Sequence, residues 1–309
     1  MTPANAADRR PLLLLVNPSA GGKPAAGSPL SEEPQRLEPE ALAELLRAHG
    51  LEVQLRILAE GDDVGLLARS AAERHDVVVA GGDGTVAPAG LALVGSEATL
   101  GILPLGSFNN VARGMGIPDQ LEPAIAAIAR GEVMRVDVGL AERDPADPEP
   151  FLEAGGIGLD AMGFGAVELA DRRGTWRGLR FLWRALRRAP ARIELTLDGR
   201  ESVTDAPTVV VCNGPFHGAG FAIAPDADPT DGRLDVAIFG RMGRLQAIVH
   251  YLRVARGRRV RDPRVRIERA EQIRVATRRG ILPVQVDGRS IGVTPISFTV
   301  RHAALRIFR

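Results

Sequence analysis

Asp76-Val-Val-Val-Ala-Gly-Gly-Asp-Gly-Thr85 constrains this chain more than any other stretch, because a wholly apolar strand empties there into a turn almost bare of side chains. Val77 to Ala80 form a continuous apolar run of the kind found in strands buried on both faces of a parallel sheet. Gly81, Gly82 and Gly84 remove the side chains that would block close approach to the backbone. At the carboxyl end of a parallel strand such amides can cradle phosphate oxygens. Asp83 adds a carboxylate able to hold magnesium or take a proton, and Thr85 adds a hydroxyl donor. A plain Gly-Asp-Gly bend would look the same in isolation, so the flanking sequence has to decide.

Upstream, Leu12 to Val16 reads as a first buried strand that opens into Asn17-Pro-Ser-Ala-Gly-Gly-Lys23. This is not a Walker A loop: Asn17 stands where that pattern needs Gly, and no Ser or Thr follows Lys23, the chain's only lysine. Residues 24–39 read as a surface loop. Pro39 to His49 carries Leu42, Leu45 and Leu46 at helical spacing and is ended by Gly50. Glu52 to Leu58 reads as a strand and Asp62 to Arg74 as a helix. A fourth strand, Leu100 to Pro104, ends in Leu105-Gly-Ser-Phe-Asn-Asn110 before a helix over Val111 to Met115. Alternating strands and helices predict a doubly wound α/β domain with a parallel sheet, and its polar loops should gather at one rim. Ser107, Asn109 and Asn110 either bond phosphates or cap the following helix.

After a helix over Ala124 to Arg130 the pattern changes to short strands split by turns, predicting a β-rich sandwich or barrel-like domain. The expected division is 1–132 and 133–309. Expected strands cover Arg135 to Gly139, Phe151 to Ala154, Ile193 to Leu197, Pro207 to Cys212, Leu234 to Phe239, Glu271 to Ala276, Val284 to Asp287 and Ile296 to Val300. Glu142 to Pro150 should be a hairpin loop. With 309 residues, 45% hydrophobic and 25% charged, the chain can bury two cores, and its net charge of +1 provides no global attraction for nucleic acid or anionic lipid. A single cysteine, Cys212, excludes an intramolecular disulfide and a thiolate zinc site, and its apolar run makes it a core residue. The N-terminal region has no apolar segment long enough for a signal or a membrane span, so a cytoplasmic location is expected.

Taken together, Val16 to Lys23, Gly81-Gly-Asp-Gly-Thr85, Leu100 to Arg113, Gly220-Phe-Ala-Ile-Ala-Pro225, Asp231-Gly-Arg-Leu-Asp235 and Val286-Asp-Gly288 resemble the diacylglycerol kinase catalytic family, which includes bacterial soluble lipid kinases and sphingosine kinases. NAD kinases and 6-phosphofructokinases share the Gly-Gly-Asp-Gly turn, but the Leu103 to Arg113 run and the Asp231 motif resemble the lipid kinases. The resemblance implies a two-domain, ATP-dependent lipid kinase with an interdomain cleft, an alcohol as acceptor, and ATP and magnesium as cofactors. It places Asn17, Pro18, Ser19, Ala20, Gly21, Gly81, Gly82, Asp83, Gly84, Thr85, Ser107 and Asn109 at the nucleotide. It makes Asp83 and Asp287 the catalytic carboxylates, and gives a structural magnesium Asp228, Asp231 and the carbonyl of Arg233. The expected partners are a lipid substrate, a peripheral contact with an anionic membrane and a second copy of the chain as a homodimer; no nucleic acid is expected, because basic residues are not interleaved with aromatics in a binding motif.

Two positions depart from that family. Asn110 stands where Asp is frequent, and Arg289 follows Asp287-Gly288 where many members carry the Glu proposed to supply the base. Arg cannot accept a proton. A catalytic protein must then rely on Asp287, with or without Asp83, while Arg289 or Arg113 could stabilise phosphate charge. The alternatives are a catalytically impaired nucleotide- or lipid-binding homologue, and a kinase for a sphingoid base, polyprenol or other alcohol. Thr175 to Arg188 sets Trp176, Leu179, Trp183 and Leu186 on one helical face flanked by arginines. That face either packs on the β-rich domain or lies in the interface of an anionic bilayer. A second basic run, Arg253 to Arg269, reads as solvated loop.

Overall fold

The computed structural model describes residues 9–20, 38–165, 191–240 and 262–309. Gly21 to Lys23, most of the 24–39 loop, the Trp-Arg helix at 175–188 and the first part of the second basic run lie outside the described residues. The chain divides into two units, Met1–Asp137 with Ala303–Arg309, and Val138–His302.

In the first unit the elements run β1 Leu12–Val16, α1 Pro39–Ala48, β2 Val53–Ile57, α2 Val64–Ala71, β3 Asp76–Gly81, α3 Asp83–Ala92, β4 Thr99–Pro104, α4 Asn110–Gly114 and α5 Leu121–Arg130. The strands are parallel in the order β2-β1-β3-β4. Every residue of β1, β3 and β4 is buried, as their unbroken apolar runs require. The helices are amphipathic where the sequence shows a stripe. Leu42, Ala43 and Leu46 of α1 and Ala124, Ile125, Ala127 and Ile128 of α5 are buried, and α2 starts at Asp63, whose carboxylate accepts the Leu66 N–H at 2.9 Å. The order reverses between β1 and β3, and this topological switch point is where open α/β sheets bind ligands.

One element was not expected. Helix α3 begins at Asp83, a single residue after β3 ends, so the glycine-rich turn is mostly the first turn of a helix. Val86, Ala87, Ala89 and Gly90 are all buried, and apolar residues all round leave no stripe for periodicity to detect.

The second unit holds most of β5 Val133–Glu142, then β6 Glu149–Phe151, β7 Ala154–Gly158, β8 Ala191–Leu197, β9 Arg200–Ala206, β10 Thr208–Cys212, β11 Phe216–His217, β12 Phe221–Ala222, β13 Leu234–Phe239, β14 Val265–Ala270, β15 Gln272–Thr277, β16 Pro283–Val286, β17 Arg289–Val293 and the start of β18 Ile296–Phe308. Residues 159–165 are helical. One antiparallel sheet has the order β14-β13-β10-β7-β16-β17 and the other runs β18-β15-β8-β9. Ile157, Val209, Val211, Val236 and Val284 of the first sheet share a core with Ile193, Leu195, Ile273, Val275 and Phe298 of the second, which makes an antiparallel β-sandwich. The far side of the first sheet buries Val210, Cys212, Ala237 and Phe239 against Ile223 and Ala224.

The acidic segment after Glu142 is a hairpin connection, since Gly139 pairs with Phe151. The edge strands β9, β14 and β17 were not expected. Charge hid β14 inside the second basic run, but Arg266 and Glu268 project from an edge strand and pair at 2.7 Å. The chain's last strand also runs beyond the expected Val300: Arg306 and Ile307 pair in parallel with Thr99 and Leu100, so 303–309 belong to the first unit's sheet.

Candidate active site

Three loops of the first unit meet at the switch point, and side chains tie them together. Asn17, just past β1, donates from Nδ2 to Thr85 Oγ1 of α3 at 2.9 Å, and Asn17 Oδ1 accepts the Ser19 N–H at 3.0 Å. Asp83 Oδ1 accepts the N–H of Val111 at the start of α4 at 3.0 Å. Between these, the turn after β3 and the loop after β4 touch backbone to backbone: a Cβ on Gly106 would lie 2.4 Å from the Gly82 Cα. Neither glycine could carry a side chain without separating the loops. Asn17, Gly82, Asp83, Thr85 and Asn109 are thus brought together, with Pro18, Ser19, Gly84 and Ser107 on the exposed rim.

Asn109 stands at the N-cap position of α4 without using its side chain as a cap. It adopts a left-handed backbone, φ 49° and ψ 44°, with no side-chain cap bond. Its amide braces its own loop instead, accepting the Gly106 N–H at 2.9 Å and donating to the Gly106 carbonyl at 3.0 Å. Asn110 is the first residue of α4 and is buried. Thr85 is also buried, so its hydroxyl serves the loop framework through Asn17.

In the second unit, Asp287 sits in a tight turn at φ 44° with its carboxylate held by three backbone donors. Leu152 N–H reaches Oδ2 at 2.8 Å, while the N–H groups of Glu153 and Ala154 reach Oδ1 at 2.9 and 3.1 Å. Burial and the neighbouring Glu153 charge nevertheless push its carboxyl up to about 6, the three amides opposing them. Arg289 points to β6, where its guanidinium lies 3.4 Å from Glu149 and 3.2 Å from the Pro150 carbonyl.

Around Asp287 lies a polar cluster that the sequence did not single out. His217, 2% exposed, has Nε2 3.3 Å from Asp160 Oδ2 and Nδ1 3.9 Å from Glu153 Oε2. Burial alone would lower the imidazole, but the two carboxylates overcome it and raise it to about 10. The glycine at Gly156 makes the cluster sterically accessible, because a Cβ there would lie 1.7 Å from Asp160 Oδ2. Glycines in a strand mark such close approaches, and Ala154-Gly-Gly-Ile-Gly158 carried that signal.

The loop expected to hold magnesium turns on its own carboxylates. Asp228 Oδ1 accepts both the N–H and the hydroxyl of Thr230, at 2.9 and 2.6 Å, and Asp231 Oδ1 accepts the Arg233 N–H at 3.0 Å. Two carboxylates and a carbonyl are hard oxygen donors that suit magnesium. A guanidinium competes for the same charge: Arg269 lies 3.7 Å from Asp231 Oδ2 and 3.2 Å from Asp235 Oδ1, and donates to the Asp226 carbonyl at 2.6 Å.

Residues 11–141 match the family model of the diacylglycerol kinase catalytic domain, and residues 156–309 match the YegS C-terminal NAD kinase beta sandwich-like domain. Those two domains in succession define a phosphotransferase. A diacylglycerol kinase of Mycobacterium tuberculosis is 30% identical over 252 residues, covering 79% of this chain and 80% of that one. A "probable lipid kinase YegS-like" of Klebsiella pneumoniae is 30% identical over 221 residues, 68% of this chain and 70% of its own. In fold, a crystal structure of a diacylglycerol kinase from Bacillus anthracis superposes with a TM-score of 0.72 at 22% identity over 97% of each chain. The chain belongs to the diacylglycerol kinase catalytic-domain family and is a lipid kinase of the YegS-like type. Kinases of this family use ATP. Among the described residues, no helix is long and apolar enough to cross a membrane.

Proposed function

We propose that the protein transfers the γ-phosphate of Mg-ATP to the hydroxyl of a diacylglycerol-like lipid, and that the linked loops at the switch point bind the nucleotide. The observation that carries this is the Gly82–Gly106 backbone contact with Asp83 tied to α4, which leaves a rim of small residues, with Ser19, Gly84 and Ser107 exposed, suited to phosphate. The glyceride acceptor is suggested by the relative named a diacylglycerol kinase.

Phosphoryl transfer needs alignment, neutralisation of spreading charge and a proton acceptor. The lipid oxygen attacks the γ-phosphorus, the bond to the β–γ bridging oxygen breaks, ADP leaves, and the hydroxyl proton passes to Asp287. A carboxyl near 6 is ionised at neutral pH and still basic enough to share that proton. Asp83 would hold the magnesium that accompanies ATP, which would neutralise phosphate charge, and the amides of Gly82 to Gly84 would face the phosphates. Arg289 is held by Glu149 and Pro150, so the proposal gives it no part in charge stabilisation. A structural magnesium would be held by Asp228, Asp231 and the Arg233 carbonyl, where it would neutralise loop charge.

Incubation with γ-labelled ATP, magnesium and micelles of diacylglycerol, ceramide, a sphingoid base or a polyprenol, followed by organic extraction, tests the proposal. Label should enter the extract with diacylglycerol and disappear in Asp83→Asn. Label with another alcohol alone would transfer the function to that acceptor, and release of inorganic phosphate alone would overturn the transfer.

A further inference from the structure

We propose that His217 is a positioning residue for the Asp287 carboxylate, held as an imidazolium between Asp160 and Glu153 so that it fastens both segments that frame Asp287. The inference rests on the proposed role of Asp287 as base. The first segment is 152–154, whose three N–H groups hold the Asp287 oxygens. Glu153 faces His217 Nδ1 from that segment at 3.9 Å, and Asn213 secures the segment's backbone through Nδ2 to the Leu152 carbonyl at 3.1 Å. The second segment is the turn from Gln285 to Gly288, which carries Asp287 itself. Gln285 Oε1 accepts the Gly288 N–H at 2.7 Å, and Gln285 Nε2 donates to Asp160 Oδ2 at 2.8 Å.

That pair of bonds fixes the Gln285 amide. Its oxygen must face Gly288, so its nitrogen must face the cluster, where it also lies 3.2 Å from His217 Nε2. Asp160 Oδ2 is the point on which both nitrogens converge, 3.3 Å from His217 Nε2 and accepting from Gln285 at 2.8 Å. The His217 ring thus stands between Glu153, 3.9 Å from Nδ1, and Asp160, from which the contacts run through Gln285 to Gly288. The groups facing His217 are Asp160 of the helical 159–165 segment, Glu153, Gln285 of β16 and the Phe164 ring, whose centroid is 5.2 Å away. Those acting on Asp287 are Glu153 and the amides of 152–154, and the Cys212 thiol of β10 feels the Asp160 charge.

Removing this cation leaves Glu153, the carboxylate that acts on Asp287, without its counter-charge, so Asp287 should become harder to ionise. The test follows the Asp287 carboxyl carbon by NMR in aspartate-labelled protein, its resonance assigned with Asp287→Asn, in wild type and His217→Gln. His217→Gln should raise the Asp287 midpoint by about one pH unit. The acid limb of kcat should move with it, while KM for ATP stays within about twofold. A lower kcat with an unmoved midpoint would overturn the inference and leave His217 a packing residue. Should His217→Gln fail to fold, the imidazole of the wild type is titrated instead: a cation persisting above pH 8 supports the inference, and a neutral ring at pH 7 overturns it. Because the midpoint is read without turnover, a wild type that phosphorylates no lipid would refute the base assignment while leaving the positioning measurement standing.

Discussion

In the proposed transfer Asp83 and Asp287 act by different means, and their hydrogen bonds say how each will respond to substitution. Asp83 uses Oδ1 to accept one backbone N–H, which an asparagine oxygen can accept equally well. Asp83→Asn should keep its melting temperature within about 2 °C while lipid phosphorylation falls by about 10²-fold or more. A matching loss of stability would mean that the carboxylate is structural. Asp287 is governed by burial, and the sign of its pH dependence follows. Its carboxyl is raised to about 6 in the folded chain, against about 3.9 in the unfolded one, so the native state binds the proton more tightly. Stability should fall as pH rises from about 4 to about 6, by on the order of 3 kcal/mol. Turnover should climb through the same window as the base ionises, and denaturant melts of Asp287→Asn should lose the slope.

At the scale of elements, the glycine loops work by backbone contact. Gly106→Ala would put a Cβ 2.4 Å from the Gly82 Cα. Forcing the loops apart should cost about 1–3 kcal/mol by chemical denaturation and weaken ATP binding, measured by calorimetry. Unchanged ATP affinity with the expected stability loss would separate the framework from the site. The magnesium loop makes a second prediction. With Arg269 already bridging Asp231 and Asp235, a chelator should shift the melting temperature little in the wild type and several degrees more in Arg269→Met; equal shifts in both proteins would exclude that competition. Sequence pattern marked the loops that the structure brings together, because continuous apolar runs and glycines are local signals. It could not show that the Asn109 side chain would brace Gly106 in place of capping α4, since that depends on the left-handed backbone at one residue. Nor could it find α3, whose buried residues surround the helix, or the His217 cluster, whose members come from four separated stretches of chain.

For the whole molecule, the order of domains was legible from the switch from helix-and-strand alternation to short strands. The return of the C-terminus was not, because the sequence reads as a strand only over Ile296 to Val300, whereas the strand runs on to Phe308. Ala303, at φ 51°, interrupts it, with its N–H held by the buried Asp137 at 2.7 Å. The residues beyond bury Leu305, Ile307 and Phe308 in the first unit. Burial of three such side chains is worth about 5–8 kcal/mol, comparable with a domain's whole stability. Ending the chain at His302 should therefore leave the first unit aggregated or unfolded by circular dichroism, and a well-folded truncated protein would show that the returning strand is dispensable. The claim on which the functional account depends is that the nucleotide's phosphates lie on the loops after β1, β3 and β4. A crystal structure with magnesium and a non-hydrolysable ATP analogue measures this directly. The account predicts phosphate oxygens within hydrogen-bond distance of amides between Gly82 and Thr85, with Asp83 facing the metal. A triphosphate bound away from all three loops would contradict it.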